Sequence, residues 1–258
     1  QYIKMMSSNH KMTTKVNERT ISNNKPGPEK NNVNRDPRVH YSILTLEWAL
    51  RSHPERRRNV ERIEREFPQF VRDIAIDAST EYEEINRILQ RHNVTCDEKN
   101  DMVAGNLGLW ASTLRRWEML IAESDEWDFA VIVQDDHIYD EQLDARVTEM
   151  VRNRWKYFPG ENSLPMYSFG HGDGVNLYTV SALPRLIAAF RDNFPERKTY
   201  ALDYFFDSLG LASENMNFAW SKILDTHTNS TIGGVGDRKN NGTTIKCLPN
   251  GRLGPVAE

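Results

Sequence analysis

From His40 onward, apolar residues fall into two alternating rhythms along the chain, one of period two or unbroken and one of helical period. His40 to Leu46 (HYSILTL) is rich in β-branched and apolar residues and predicts a buried strand. Ser52-His53-Pro54-Glu55 then offers a cap, a first-turn proline and a glutamate able to reach back. Val60, Ile63 and Phe67 follow at helical spacing, and Pro68 ends the run. Val71 to Asp77 alternates as a second strand, and Glu81 to His92 carries Ile85, Ile88 and Leu89 on one helical face. A longer helix is expected from about Asn106 to Glu123, with Leu107, Ala111, Leu114 and Ile121 inward. Asp128 to Val133 (DFAVIV) is a continuous apolar run of the kind found in a parallel strand covered on both faces. Strands are expected again at Met166 to Phe169 and Val175 to Val180, and helices at Ser181 to Asn193 and about Tyr200 to Leu211. Strands alternating with helices predict an α/β fold with a mostly parallel central sheet and helices on both faces.

The two ends of the chain lack such rhythm. Residues 1–38 are rich in Asn, Lys, Ser and Thr, carry a Pro26-Gly27-Pro28 break, and predict a flexible lead-in. Residues 39–235 form the expected domain, and 236–258, rich in Gly and Asn, an irregular C-terminal segment. The formal net charge of -4 argues against an obligate nucleic-acid binder. That charge is uneven, because Lys4, Lys11, Lys15, Arg19, Lys25, Lys30, Arg35 and Arg38 outnumber Glu18, Glu29 and Asp36 in the basic lead-in.

Cys96 and Cys247 show no metal-ligand spacing, and two cysteines are too few to read as a disulfide framework, which favours a reduced, cytoplasmic compartment. Three sequons, at Asn93, Asn229 and Asn241, would matter only in a secretory lumen, which stays open if an N-terminal anchor precedes Gln1. No apolar run approaches the roughly 20 residues of a membrane span.

The candidate chemistry sits at the end of the most apolar strand. In an open α/β sheet, ligands collect at the carboxyl ends of strands near the point where strand order reverses. Asp135 and Asp136 follow Val133-Gln134 at such an end. Adjacent carboxylates in a partly buried place require a cation or basic partners, and oxygen ligands there suit Mg²⁺ or Mn²⁺ bridging to substrate phosphates. Arg51 and the Arg56-Arg57-Arg58 run follow the first strand and could face a phosphate, with most of the run expected to form a solvated helical face. The loop Gly170-His-Gly-Asp-Gly174 is glycine-rich enough to let backbone approach a sugar, with Asp173 or His171 reading hydroxyls; it could equally be a tight hairpin connection.

Taken in order, Ile43-Leu44-Thr45-Leu46, Arg51 and the Arg56-Arg57-Arg58 run, Ile76-Asp77-Ala78, Gly105 to Ser112, Trp117-Glu118, Val131 to Asp136, Gly174 to Ser181 and Leu202-Asp203 resemble glycosyltransferase family 25, the lipopolysaccharide and procollagen galactosyltransferase type. A similar domain occurs in glycosyltransferases of large algal viruses. The resemblance spans roughly residues 40 to 235 and implies a GT-A-type, Rossmann-like fold. The family's Glu-Asp-Asp triplet falls on Gln134-Asp135-Asp136, which implies metal ligation by Asp136 with help from Asp135. Its Gly-x-x-Gly-x-x-x-Ser-His element falls on Gly105, Gly108, Ser112 and Thr113, so the customary histidine is absent. Asp203 matches the late acidic residue that would act as base on the acceptor, and His227 could supply a further metal ligand.

The function this implies is transfer of a sugar from a nucleotide-sugar donor, with UDP as carrier, to a hydroxyl of a glycan or glycoprotein, assisted by Mn²⁺ or Mg²⁺ and inverting at the anomeric carbon. Donor contacts are expected from Arg51, Gly105, Gly108, Ser112, Asp135 and Asp173. Two alternatives use the same residues: a nucleotidyltransferase or other phosphoryl-transfer enzyme, and a non-catalytic carbohydrate-binding module in which Gln134 marks a degraded triplet.

Overall fold

A computed structural model describes residues 35–78, 80–95, 104–158, 166–169, 174–193, 202, 205–206, 213–214, 245–248 and 251–255. The chain divides between Arg35 and Asp36 into two units, and the second of them, Asp36–Glu258, carries every described strand and helix.

The chain enters the sheet as β1 (Val39–Thr45) and turns through two helices, α1 (Glu47–Ser52) and α2 (Pro54–Glu66), into β2 (Phe70–Ile74). It then passes through α3 (Tyr82–Arg91) and α4 (Ala104–Ala122) into β3 (Phe129–Gln134). After α5 (Glu141–Arg152) and the short α6 (Arg154–Tyr157) come β4 (Met166–Phe169), β5 (Val175–Thr179) and α7 (Leu183–Asn193). A 3-10 turn (Val180–Ala182) joins β5 to α7, and a two-residue strand β6 (Ser213–Glu214) and a hairpin of β7 (Ile245–Cys247) and β8 (Leu253–Pro255) follow.

The main sheet has six strands in the order β2-β1-β3-β5-β4-β6. Strands β2, β1 and β3 are parallel, β5 runs against both β3 and β4, and β6 lies parallel to β4. The sheet is therefore mixed, where alternation alone predicts a mostly parallel one. The reversal has a local reason: β4 and β5 are consecutive and paired antiparallel, so a short connection over 170–174 replaces the helical crossover that a parallel pair would need.

Successive residues of β1 and β3 point to opposite faces, and both faces are covered. Leu44, Ala130 and Ile132 pack with α3, α4 and α7 through Ile85, Leu114, Trp117 and Leu186. Ile43, Val131 and Val133 pack on the other side with Val60 and Ile63 of α2 and Val147 and Met150 of α5. This two-sided burial is why Phe129–Val133 reads as an unbroken apolar run.

Local expectations are refined at several points. The box expected at Ser52 does not form: Ser52 ends α1, and α2 is capped at His53 without a side-chain bond, Pro54 occupying its first turn. Helix α5 is an element beyond those the periodicity predicts, and Asp140 caps it by accepting from the Leu143 amide at 2.9 Å. The segment expected to be irregular, 236–258, contributes the β7–β8 hairpin, which docks on α3: Asn86 donates to the Leu253 carbonyl at 2.8 Å and accepts from the Leu253 amide at 2.7 Å. Cys247 in that hairpin is disulfide-bonded, and the chain's other cysteine, Cys96, lies outside the described residues. The disulfide removes the ground for favouring a reduced compartment. No helix among the described residues is long and apolar enough to cross a membrane.

Candidate functional site

The chain leaves β1 toward β2 on one flank and returns to β3 on the other, with Val60 and Ile63 of α2 on one face of the sheet and Leu114 of α4 on the opposite face. The carboxyl ends of β1 and β3 therefore flank the crossover point where an α/β sheet opens a ligand crevice. Thr45 ends β1, Gln134 ends β3, and Asp135 continues the ladder by donating its amide to the Leu44 carbonyl at 3.1 Å.

Asp135 is 4% exposed and turned inward. Its carboxylate accepts from the Thr45 hydroxyl at 2.6 Å and from Arg56 Nη1 at 2.9 Å. Asp136 keeps 27% of its side chain exposed; Arg56 Nη2 donates to one oxygen at 3.1 Å and His137 Nδ1 lies 2.8 Å from the other. A carboxylate only accepts, so the His137 proton resides on Nδ1. Arg56 thus bridges two adjacent carboxylates with a single fork, a geometry that a lysine ammonium does not reproduce.

The two carboxyl groups are driven apart in acidity. Burial is the largest influence on Asp135 and raises its pKa, with the charge of Asp136 adding to it and Arg56 and Thr45 opposing. Burial also works to raise Asp136, but His137 and then Arg56 outweigh it and hold Asp136 well below the usual carboxylate range. Asp136 is the more acidic member of the pair and the one that reaches solvent.

Helix α2 holds the whole segment after β3. Asn59 Nδ2 donates to the carbonyls of Asp135 at 2.9 Å and His137 at 2.8 Å, and Arg62 Nη2 donates to the Tyr139 carbonyl at 2.9 Å. Arg56, Asn59 and Arg62 recur every three residues, so one flank of α2 clamps residues 135–139 while Val60 and Ile63 face the core. That spacing is the signal for the clamp that the sequence holds. The Arg56-Arg57-Arg58 run divides: Arg57 and Arg58 are exposed, and Arg56 is buried.

On the far side, the amide of Gln134 donates to the Gly174 carbonyl at 2.8 Å, which sets the start of β5 beside the carboxylates. A Cβ on Gly174 would overlap the His137 imidazole, so glycine is what lets that ring lie against β5 and reach Asp136. The reversed direction of β5 thus brings Gly174, at its start, to the site. Asp173 and His171 lie outside the described residues, as do Asp203 and His227.

Other expected donor contacts are placed differently. Ser112 is fully buried: its hydroxyl accepts from the Ile76 amide at 2.7 Å and donates to the Gly108 carbonyl at 2.5 Å. A Cβ on Gly108 would stand 2.6 Å from the Ile76 carbonyl oxygen, so Gly108 and Ser112 let α4 dock closely on the chain beyond β2. Gly105 lies in the first turn of α4. Arg51 is exposed, its side chain 73% open, and faces Glu47 at 3.5 Å on the surface of α1.

Metal fit can be judged from the donor set. Both oxygens of each carboxylate are engaged within the site, and Asp135, 4% exposed, does not fit a ligand because it is closed off from solvent. Asp136 fits as one oxygen ligand through its exposed share. Among the described residues, no group of three His, Cys, Asp or Glu side chains could hold an ion.

No family model and no characterised protein matches this chain. The structure defines an α/β protein with a covered mixed sheet and a guanidinium-bridged carboxylate pair at its crossover point.

Proposed function

We propose that the chain is a glycosyltransferase that moves a sugar from a nucleotide-sugar donor, UDP being the favoured carrier, to a hydroxyl of a glycan or glycoprotein. The observation that carries this reading is the position of Asp136: an ionised, partly exposed carboxylate at the carboxyl end of β3, beside the β1/β3 crossover point. The order of motifs resembling glycosyltransferase family 25 supports the same reading, and the GT-A type of fold belongs to the proposal.

In this reaction the acceptor oxygen attacks the anomeric carbon, the bond from that carbon to the diphosphate oxygen breaks, and the hydroxyl proton passes to a base. Asp203 is the proposed base and inversion the proposed outcome, both on the strength of the resemblance. Asp136 would hold Mn²⁺ or Mg²⁺, with His227 as a further ligand; such an ion supplies charge neutralisation at the leaving nucleoside diphosphate. Asp135 has a different task here: with Thr45 and Arg56 it fixes the turn on which Asp136 stands. His137, packed on Gly174, orients the Asp136 carboxylate.

A thermal-shift screen of UDP-hexoses, UDP and nucleoside triphosphates, with and without Mn²⁺, tests the proposal through binding linkage. Stabilisation by UDP-hexoses that is lost in Asp136→Asn supports it. Preferential stabilisation by nucleoside triphosphates would replace it with nucleotidyl transfer, and no response to any nucleotide would reject it.

A further inference from the structure

We infer that Asn93 is an N-glycosylation site and that this chain matures in an oxidising, secretory-type compartment. The two halves rest on separate observations that meet at one place in the fold.

Asn93 follows the last turn of α3 with φ of 56°, the left-handed conformation that glycine or asparagine adopts after a helix. The amide of Asn93 donates to the Gln90 carbonyl at 3.0 Å and that of Val94 to the Leu89 carbonyl at 2.9 Å, closing the helix in a paired turn. Val94 is 5% exposed and anchors the turn in the core. Asn93 and Thr95 on either side are both exposed. The sequon Asn93-Val94-Thr95 therefore lies on a turn fixed by Val94, with both its asparagine and its threonine exposed.

The second observation is the disulfide at Cys247. The hairpin that carries Cys247 docks beside this turn: Asn86 pairs with Leu253, Arg252 with Glu83 at 2.8 Å, and a Cβ on Gly251 would lie 3.1 Å from Thr95 Cβ. The chain's other cysteine, Cys96, is next to Thr95 in sequence. A disulfide persists in compartments where sequons are also used.

Chemically, the side-chain nitrogen of Asn93 forms a bond to the anomeric carbon of a lipid-diphosphate-linked oligosaccharide. The bond from that carbon to the diphosphate breaks, and one amide proton is lost. Closing the disulfide removes two protons and two electrons from two thiols, taken up by a dithiol-disulfide oxidoreductase.

The test maps the full chain isolated from the cells that make it. Peptides are analysed without reduction, before and after peptide-N-glycosidase in ¹⁸O-water. The expected result is Cys247 in a disulfide-linked peptide and a glycan on Asn93, whose removal leaves an ¹⁸O-labelled aspartate. In Thr95→Ala, which retains the asparagine that the turn requires, the Asn93 glycan is lost while the disulfide and the melting temperature persist. An unmodified Asn93, or free thiols at both cysteines, overturns the inference.

Discussion

Replacing Arg56 by methionine tests the central claim about the site, because that one side chain donates to both members of the carboxylate pair. Methionine preserves much of the aliphatic length and helix propensity, so the change isolates the guanidinium. In the native protein Arg56 is 6% exposed and donates to Asp135 at 2.9 Å and Asp136 at 3.1 Å. Its loss strands Asp135, itself 4% exposed, next to a second carboxylate. Removing one partner of a buried ion pair costs about 3–5 kcal/mol, far more than the pair contributes when compared with an apolar replacement. At roughly 2–4 °C per kcal/mol for a domain of this size, the melting temperature should fall by about 6–20 °C. Urea denaturation at pH 7 with matched m-values measures the loss directly. Adding Asp135→Asn to Arg56→Met should return part of it, because a neutral amide can keep the Thr45 bond without a stranded charge; the double-mutant cycle reads that coupling. A loss under about 1 kcal/mol for Arg56→Met, or no recovery in the double variant, would mean that the pair is solvated and that Arg56 is not its counter-ion.

Three more outcomes rest on the same geometry. Arg51→Ala should change stability by no more than about 0.5 kcal/mol, since Arg51 and Glu47 form an exposed pair one helical turn apart; thermal melts suffice to check it. Ser112→Ala should cost about 1–3 kcal/mol in urea titration by leaving the buried Ile76 amide without its acceptor, with UDP-sugar affinity in the folded fraction unchanged. Asp136 has a depressed folded pKa, so its contribution to stability is full above the unfolded value and is lost only as pH falls through the lower folded one; Asp136→Asn should therefore show a shallower loss of stability than wild type on the acid side in denaturation series from pH 6 to 2.

Much of the frame is legible in the sequence because the determining forces are local. The unbroken run Phe129–Val133 announces a strand covered on both faces, and Leu107, Ala111 and Leu114 mark the inner face of α4. The place of Asp135-Asp136 at a strand end follows from where that run stops. The direction of β5 is not legible, because an apolar strand has the same alternation in either sense; only pairing with β3 and β4 decides it. Helix α5 does leave a trace in the sequence: Asp140 before Leu143, Val147, Met150 and Val151 is a capped apolar stripe.

The roles within the site are hidden for a different reason: they depend on contacts across about 80 residues of chain. Arg56 meets Asp135 at a separation of 79, and Asn59 meets the Asp135 carbonyl at 76. Within the Arg56-Arg57-Arg58 run nothing distinguishes the buried member; only the three-residue spacing to Asn59 and Arg62 hints at it, and the way α2 lies on the sheet turns that spacing into contacts. Ser112 shows the converse. A serine and glycines in this helix match a phosphate-binding pattern, yet Ser112 satisfies the Ile76 amide and Gly108 allows close packing, which demands the same small residues. The chemistry expected from Asp135 and Asp136 as a pair accordingly separates. Asp135 commits its oxygens to Thr45 and Arg56 and fixes the turn, while Asp136, tethered by Arg56 and His137, is the carboxylate that keeps part of its surface in solvent.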